Sequence, residues 1–210
     1  MPDHLALLEA EVAAMTESLR AADPAAPVAS CPGWTVRDLA DHVTSVHRWV
    51  LATLSSQEPA PFDDTPCGDD LAAGYAEQAH ALLDRLTELP PDHECWTFDR
   101  NNHTAGFWRR RQVHEISVHR WDLAPYAMSD EVAEDGIDEI LEFMLPRQVA
   151  MGRTTLPDGV LRLVSPRRTW DIGTGEPLLS VEAPAAELLL SLWGRKDALP
   201  QQWRDAKLTP

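Results

Sequence analysis

Within the segment Val113-His114-Glu115-Ile116-Ser117-Val118-His119-Arg120-Trp121-Asp122 a carboxylate, Glu115, and an imidazole, His119, stand four residues apart. Four residues is about one helical turn, so on a helix the two side chains share a face. A third ligand could come from His42, which lies in a second amphipathic stretch. Two histidines and a carboxylate form the ligand set of a catalytic metal site that keeps one position open. Taken alone, the Glu115/His119 pair could equally be an exposed helix pair that contributes a few tenths of a kcal/mol.

Helical geometry sorts the neighbouring histidines. His114 projects about 140° from His119, so the two cannot easily share one ion on a regular helix. The spacing H-E-x-x-x-H is one residue longer than the H-E-x-x-H of zinc proteases, which disfavours that chemistry. His42 and His47 also diverge by about 140° and flank the aliphatic stripe of their helix on opposite sides, so periodicity leaves both open. If the inward face extends to Trp49, beside Leu39 and Val46, His42 lies within it and His47 at its far edge.

These residues need helices to hold them, and the pattern supplies them. Leu5, Leu8, Val12, Met15 and Leu19 mark a first amphipathic helix over 4–22, ended by Pro24 and Pro27. Thr35 with Asp38 three residues on resembles a capping box. It opens a second helix through Val36, Leu39, Val43, Val46, Val50 and Leu54 that carries His42. A third runs from about Asp69 to Leu89 and stops at Pro90-Pro91; a fourth, about Thr104 to Tyr126, carries Glu115 and His119. A fifth is expected over about 130–149, kinked or ended by Pro146. From Gly159 the chain changes to short strand-like runs, Val160–Val164, Thr169–Ile172 and Leu178–Val181, followed by an apolar helix over Ala185–Trp193. The expected fold class is therefore α+β: a helical bundle over 1–151 and a small α+β domain over 152–210 that is marginal alone.

Composition bounds the partners. Against 34 acidic residues stand 18 basic ones, a net charge of −16 that disfavours nucleic acid and anionic membranes; an anionic substrate would need a locally basic pocket. The start of the chain has no signal-peptide pattern, and no apolar run approaches the length of about 20 residues that spans a bilayer. Cys31, Cys67 and Cys95 are odd in number and lack a CxxC pair, which suggests a reducing cytoplasm rather than a disulfide framework. Near the N-terminus of the second helix, Cys31 reads as structural. Trp34, Trp108 and Trp121 read as packing residues, and Arg109-Arg110-Arg111 as a solvated helix face. Lysine occurs only at Lys196 and Lys207 while arginine, alanine and proline abound, a bias of GC-rich genomes.

Three motifs together resemble a known family. Cys31-Pro32-Gly33-Trp34-Thr35-Val36-Arg37-Asp38-Leu39-Ala40-Asp41-His42 is similar to the N-terminal signature of the mycothiol-dependent maleylpyruvate isomerase family, a branch of the DinB-like metal-binding bundles. The segment from His114 to Asp122 is similar to that family's second ligand motif. Ala185-Ala186-Glu187-Leu188-Leu189-Leu190-Ser191-Leu192-Trp193-Gly194-Arg195 resembles the end of its small C-terminal domain. The resemblance implies a DinB-like four-helix bundle in which His42, Glu115 and His119 bind a divalent metal, zinc foremost, with His47 and His114 as bystanders. It implies that Arg195 holds a substrate carboxylate, for which its planar fork is suited.

It also implies mycothiol, the small thiol of actinobacteria, as cosubstrate. In the isomerases, thiolate addition to a cis-enoyl diacid permits rotation before elimination gives the trans product. The broader expectation is a thiol-dependent isomerase or S-transferase, since fold does not fix substrate. The alternatives are a metal-dependent hydrolase and a bundle that binds metal or a small ligand without turnover.

Overall fold

The computed structural model describes residues 2–210. The chain divides into two compact units, Met1–Tyr126 and Ala127–Pro210. The first is built from α1 (His4–Ala21), α2 (Val36–Thr53), α3 (Leu71–Glu88) and α4 (Ala105–Leu123). Both α1 and α2 pack against α3 and against α4, which makes a four-helix bundle. Leu8, Val12, Met15 and Leu19 of α1 are buried, as are Leu39, Val43 and Val50 of α2, so the aliphatic stripes face the core as their period requires.

The helix starts are chemically fixed. Thr35 accepts from the Asp38 backbone N–H while the Asp38 carboxylate takes the Thr35 N–H, a complete capping box at α2. Asp3 and Asp70 cap α1 and α3 in the simpler way. The connection between α2 and α3 is pinned back to α2: Arg37 donates to the Gly68 carbonyl, Arg48 to that of Thr65, and the Cys67 N–H to Asp41.

The second unit holds α5 (Asp130–Glu139), a π-helical turn over Ile140–Met144, α6 (Leu145–Ala150), strands β1 (Gly159–Val164), β2 (Thr169–Thr174) and β3 (Leu178–Glu182), and helices α7 (Ala185–Leu192) and α8 (Gln201–Asp205). Its sheet is mixed, in the order β2-β1-β3, with β1 antiparallel to β2 and parallel to β3. Leu161, Leu163, Trp170 and Ile172 are its buried residues. Gly159 has φ +102°, and a Cβ there would lie 2.4 Å from the Pro177 carbonyl oxygen, so only glycine lets β3 approach β1 at this end.

Two differences from the sequence expectation concern residues 127–151. The expected boundary near 152 falls later than the division seen in the fold, because α5 packs on α7. Val132, Ala133 and Ile137 are buried on α5, and Leu188 and Leu189 on α7. The expected kink at Pro146 takes the form of the π turn just before it. Proline has no N–H to donate and crowds the preceding turn, and a wider turn relieves both.

A candidate metal centre on two adjacent helices

On α4 the buried residues are not only aliphatic: beside Val113, Ile116 and Val118, the polar Arg111, Gln112, His114, Ser117 and Asp122 are buried as well. A helix that buries charge must satisfy it locally, because an unpaired buried charge costs several kcal/mol. The pairing converges on Glu115. Its Oε1 lies 3.3 Å from His42 Nε2 and 3.5 Å from His119 Nε2, and its Oε2 accepts from Arg111 Nη2 at 2.9 Å. The three facing atoms of His42, Glu115 and His119 all lie within 4.8 Å of one another. The two imidazole rings are 5.1 Å apart and nearly perpendicular.

His119 is held from behind. Its Nδ1 donates to Asp122 Oδ2 at 3.0 Å, and the Asp122 side chain is wholly buried. The Cys31 thiol donates to the same carboxylate oxygen at 3.6 Å. Trp34 walls the group, its ring 5.0 Å from that of His42 and stacked 6.4 Å from that of His119.

Electrostatics follow from this packing. Burial alone would raise the Glu115 carboxyl, but hydrogen bonds from His119 and His42, with the charges of His119 and Arg111, hold it well below the usual carboxylate range. For His119, burial would disfavour the cation, yet hydrogen bonds to Asp122, Cys31 and Glu115 and the Glu115 charge hold its pKa well above the ordinary value.

The donor set fits a divalent cation. Tetrahedral coordination at about 2.0–2.1 Å spaces neighbouring donors about 3.3 Å apart, close to the two separations on Glu115. Asp122, by accepting from Nδ1, fixes the tautomer in which Nε2 can offer its lone pair, the usual outer support of a metal-binding histidine. A cation there would replace the proton that His119 otherwise carries on Nε2, facing Glu115, and would leave the Nδ1 proton hydrogen-bonded to Asp122.

The remaining sequence candidates fall elsewhere. His47 is fully buried, bonds through Nδ1 to Gln112 Oε1 at 2.8 Å, and sits 5.4 Å from the Tyr75 ring; burial pushes its pKa down to about 4. His114 is buried and joins neither candidate ligand group found among the described residues. Arg195 lies in the C-terminal unit, where its Nη1 donates to the Trp193 carbonyl at 2.7 Å.

Two other side chains depart from their sequence roles. Arg109 is not part of a solvated face: it donates to the carbonyls of Leu86 and Leu89 and closes the end of α3. Arg111 is buried against Glu115. Trp34 and Cys31 belong to the walls of the group, while Trp108 is core, as expected. Helical period alone puts Arg111 and Asp122 on the Glu115/His119 face, and the structure supplies the contacts that the period does not give.

A four-helix bundle that gathers two histidines and a carboxylate on adjacent helices, joined to a small α+β unit, defines the class as a DinB-like helical protein with a candidate metal group. The Mycothiol maleylpyruvate isomerase N-terminal domain family matches residues 5–124, and the MDMPI C-terminal domain family matches residues 131–207. The chain belongs to the mycothiol maleylpyruvate isomerase family. Among solved structures, it is similar to the mycothiol-dependent maleylpyruvate isomerase with a TM-score of 0.71 at 16% identity, over 93% of this chain and 90% of that one. A histidine-to-alanine variant of that enzyme matches with a TM-score of 0.70 at the same identity and coverage. No curated protein matches the chain.

Proposed function

We propose that this chain is a thiol-dependent metalloenzyme in which His42, Glu115 and His119 hold a divalent cation, zinc by donor type, and mycothiol is the cosubstrate. The observation that carries the reading is the convergence of three donor atoms from two helices, with His119 oriented by Asp122 and Glu115 by Arg111. A bound zinc ion would supply Lewis acidity that lowers the pKa of a coordinated thiol toward neutrality.

The protein's own groups do the rest. Asp122 keeps the His119 proton on Nδ1, and Arg111 keeps one Glu115 oxygen engaged so that the other faces the two imidazoles. Trp34 excludes water from one side. Arg195, whose assignment rests on the motif resemblance, is the anchor for a substrate carboxylate. The reaction is isomerisation of a cis-enoyl diacid such as maleylpyruvate, or transfer of the thiol to an electrophile. Cys31, Cys67 and Cys95, none of them in a disulfide, suit a reducing cytoplasm in which a small thiol stays available. The acidic chain disfavours nucleic acid and anionic membrane partners, and no helix is long and apolar enough to cross a membrane.

Metal analysis of the purified protein, then assay on maleylpyruvate and on electrophiles with and without mycothiol, tests this. Turnover that requires the thiol is the expected result. Turnover without any thiol would mean a hydrolase, and stable metal binding without turnover a binding protein. Unchanged metal content in Glu115→Ala would overturn the ligand set whichever activity is present.

A further inference from the structure

His119 presents two nitrogens to two different donor sets. Nε2 faces Glu115 and His42, whereas Nδ1 faces Asp122 Oδ2, which also takes the Cys31 thiol. The donor atoms of Cys31, His119 and Asp122 all lie within 4.8 Å of one another, as those of the first group do. Sulfur, imidazole nitrogen and carboxylate oxygen are together the donors of a zinc-type site, and the sulfur biases it toward thiophilic ions. Bond lengths of about 2.3 Å to sulfur and about 2.0 Å to oxygen place those two donors about 3.5 Å apart in a tetrahedron. Cys31 Sγ and Asp122 Oδ2 are separated by 3.6 Å. The 3.0 Å between His119 Nδ1 and Asp122 Oδ2 would open by a few tenths of an ångström. Cys31 is half-buried rather than sealed, while Asp122 is already desolvated.

We propose that Cys31, Asp122 and His119 Nδ1 form a second cation site, for a thiophilic divalent ion, back to back with the first and sharing the His119 ring. Occupancy releases the Cys31 thiol proton and the His119 Nδ1 proton to solvent and leaves an imidazolate between two cations. It also takes from Asp122 its hold on the Nδ1 proton, so an excess of such an ion would act on the first site through the shared ring. The inference rests on the proposed role of His119 in the first site, and the two can fail separately.

Titration of metal-free protein with Cd2+ is the test, read by the number of ions bound and by the ultraviolet cadmium–thiolate charge-transfer band. Wild type is expected to bind two ions and show the band. Cys31→Ser should bind one ion without it, and the Cys67→Ser/Cys95→Ser double variant should match wild type. His42→Ala should weaken the first ion and keep the band. One ion and no band in wild type, or a band that survives Cys31→Ser, overturns the proposal and means a hydrogen-bond relay only. Two tight ions in His42→Ala would overturn the first-site assignment instead. Alkylation of the wild-type protein gives a readout independent of how the variants fold: Cd2+ should slow iodoacetamide modification of Cys31, and equal rates with and without it overturn the site.

Discussion

At the scale of single residues, the same imidazole chemistry has opposite outcomes at positions 119 and 47. His119 is buried between carboxylates and keeps its proton; His47 is buried against a neutral amide and loses it. For His47 the folded pKa, about 4, lies below the ordinary value of 6.5, so between these values the unfolded chain binds a proton that the folded chain refuses. Stability therefore rises with pH across that window, and about 3 kcal/mol is lost as pH falls from 6.5 to 4. His47→Asn should flatten this limb, so denaturant midpoints measured from pH 7 to pH 4 should fall less in the variant than in wild type; parallel curves would count against it. Asp122→Asn removes the acceptor that orients His119, and chelator competition should then show zinc held about 10–100-fold more weakly while the far-ultraviolet spectrum is unchanged. Helical period left both His42 and His47 open, and extending the inward face to Trp49 put His42 inside and His47 at the far edge. The structure reverses that order, with His47 fully buried and His42 one-third exposed, because burial is a property of neighbours that the sequence does not print.

At the scale of elements, α1 to α3 were readable because each combines a 3.6-residue stripe with a cap or a proline stop, whereas α4, which buries polar and aliphatic residues together and has no side-chain cap, was marked by its Glu115/His119 pair. The third of these hides one constraint. Gly74 sits in the first turn of α3 where an added Cβ would lie 1.8 Å from the Cys67 carbonyl oxygen, so the helix and the loop before it meet backbone to backbone. Alanine is favoured over glycine inside a helix by about 1 kcal/mol. Gly74→Ala should nonetheless destabilise the bundle, by about 2 kcal/mol or more, since a loop anchored by Asp41 must move away. Urea unfolding decides the sign. The fifth helix shows the limit of pattern reading: its period announces an apolar face but not which helix will cover it, and α7, more than forty residues downstream, is the one that does. Likewise Pro146 forecast a break, but whether the chain bends, stops or widens into a π turn depends on the surrounding packing.

At the scale of the molecule, a net charge of −16 leaves the folded chain under self-repulsion. Physiological salt shortens the reach of these charges to about 8 Å. Thermal midpoints should therefore rise with added sodium chloride from low ionic strength to about 0.15 M, where 1 kcal/mol corresponds to about 2–4 °C for a chain of this size. A fall would mean that exposed pairs such as Arg162–Asp171 outweigh the repulsion. The donors on α2 and α4 lie about seventy residues apart in sequence, so of the three an unfolded chain holds only Glu115 and His119 near one another. A cation that needs all three would bind the folded chain alone and raise its stability with every increase in free metal. The abundance of the protein in a cell would then follow the supply of metal: in a starved cell more chains would sit unfolded and be cleared by proteolysis, before any question of catalysis arose.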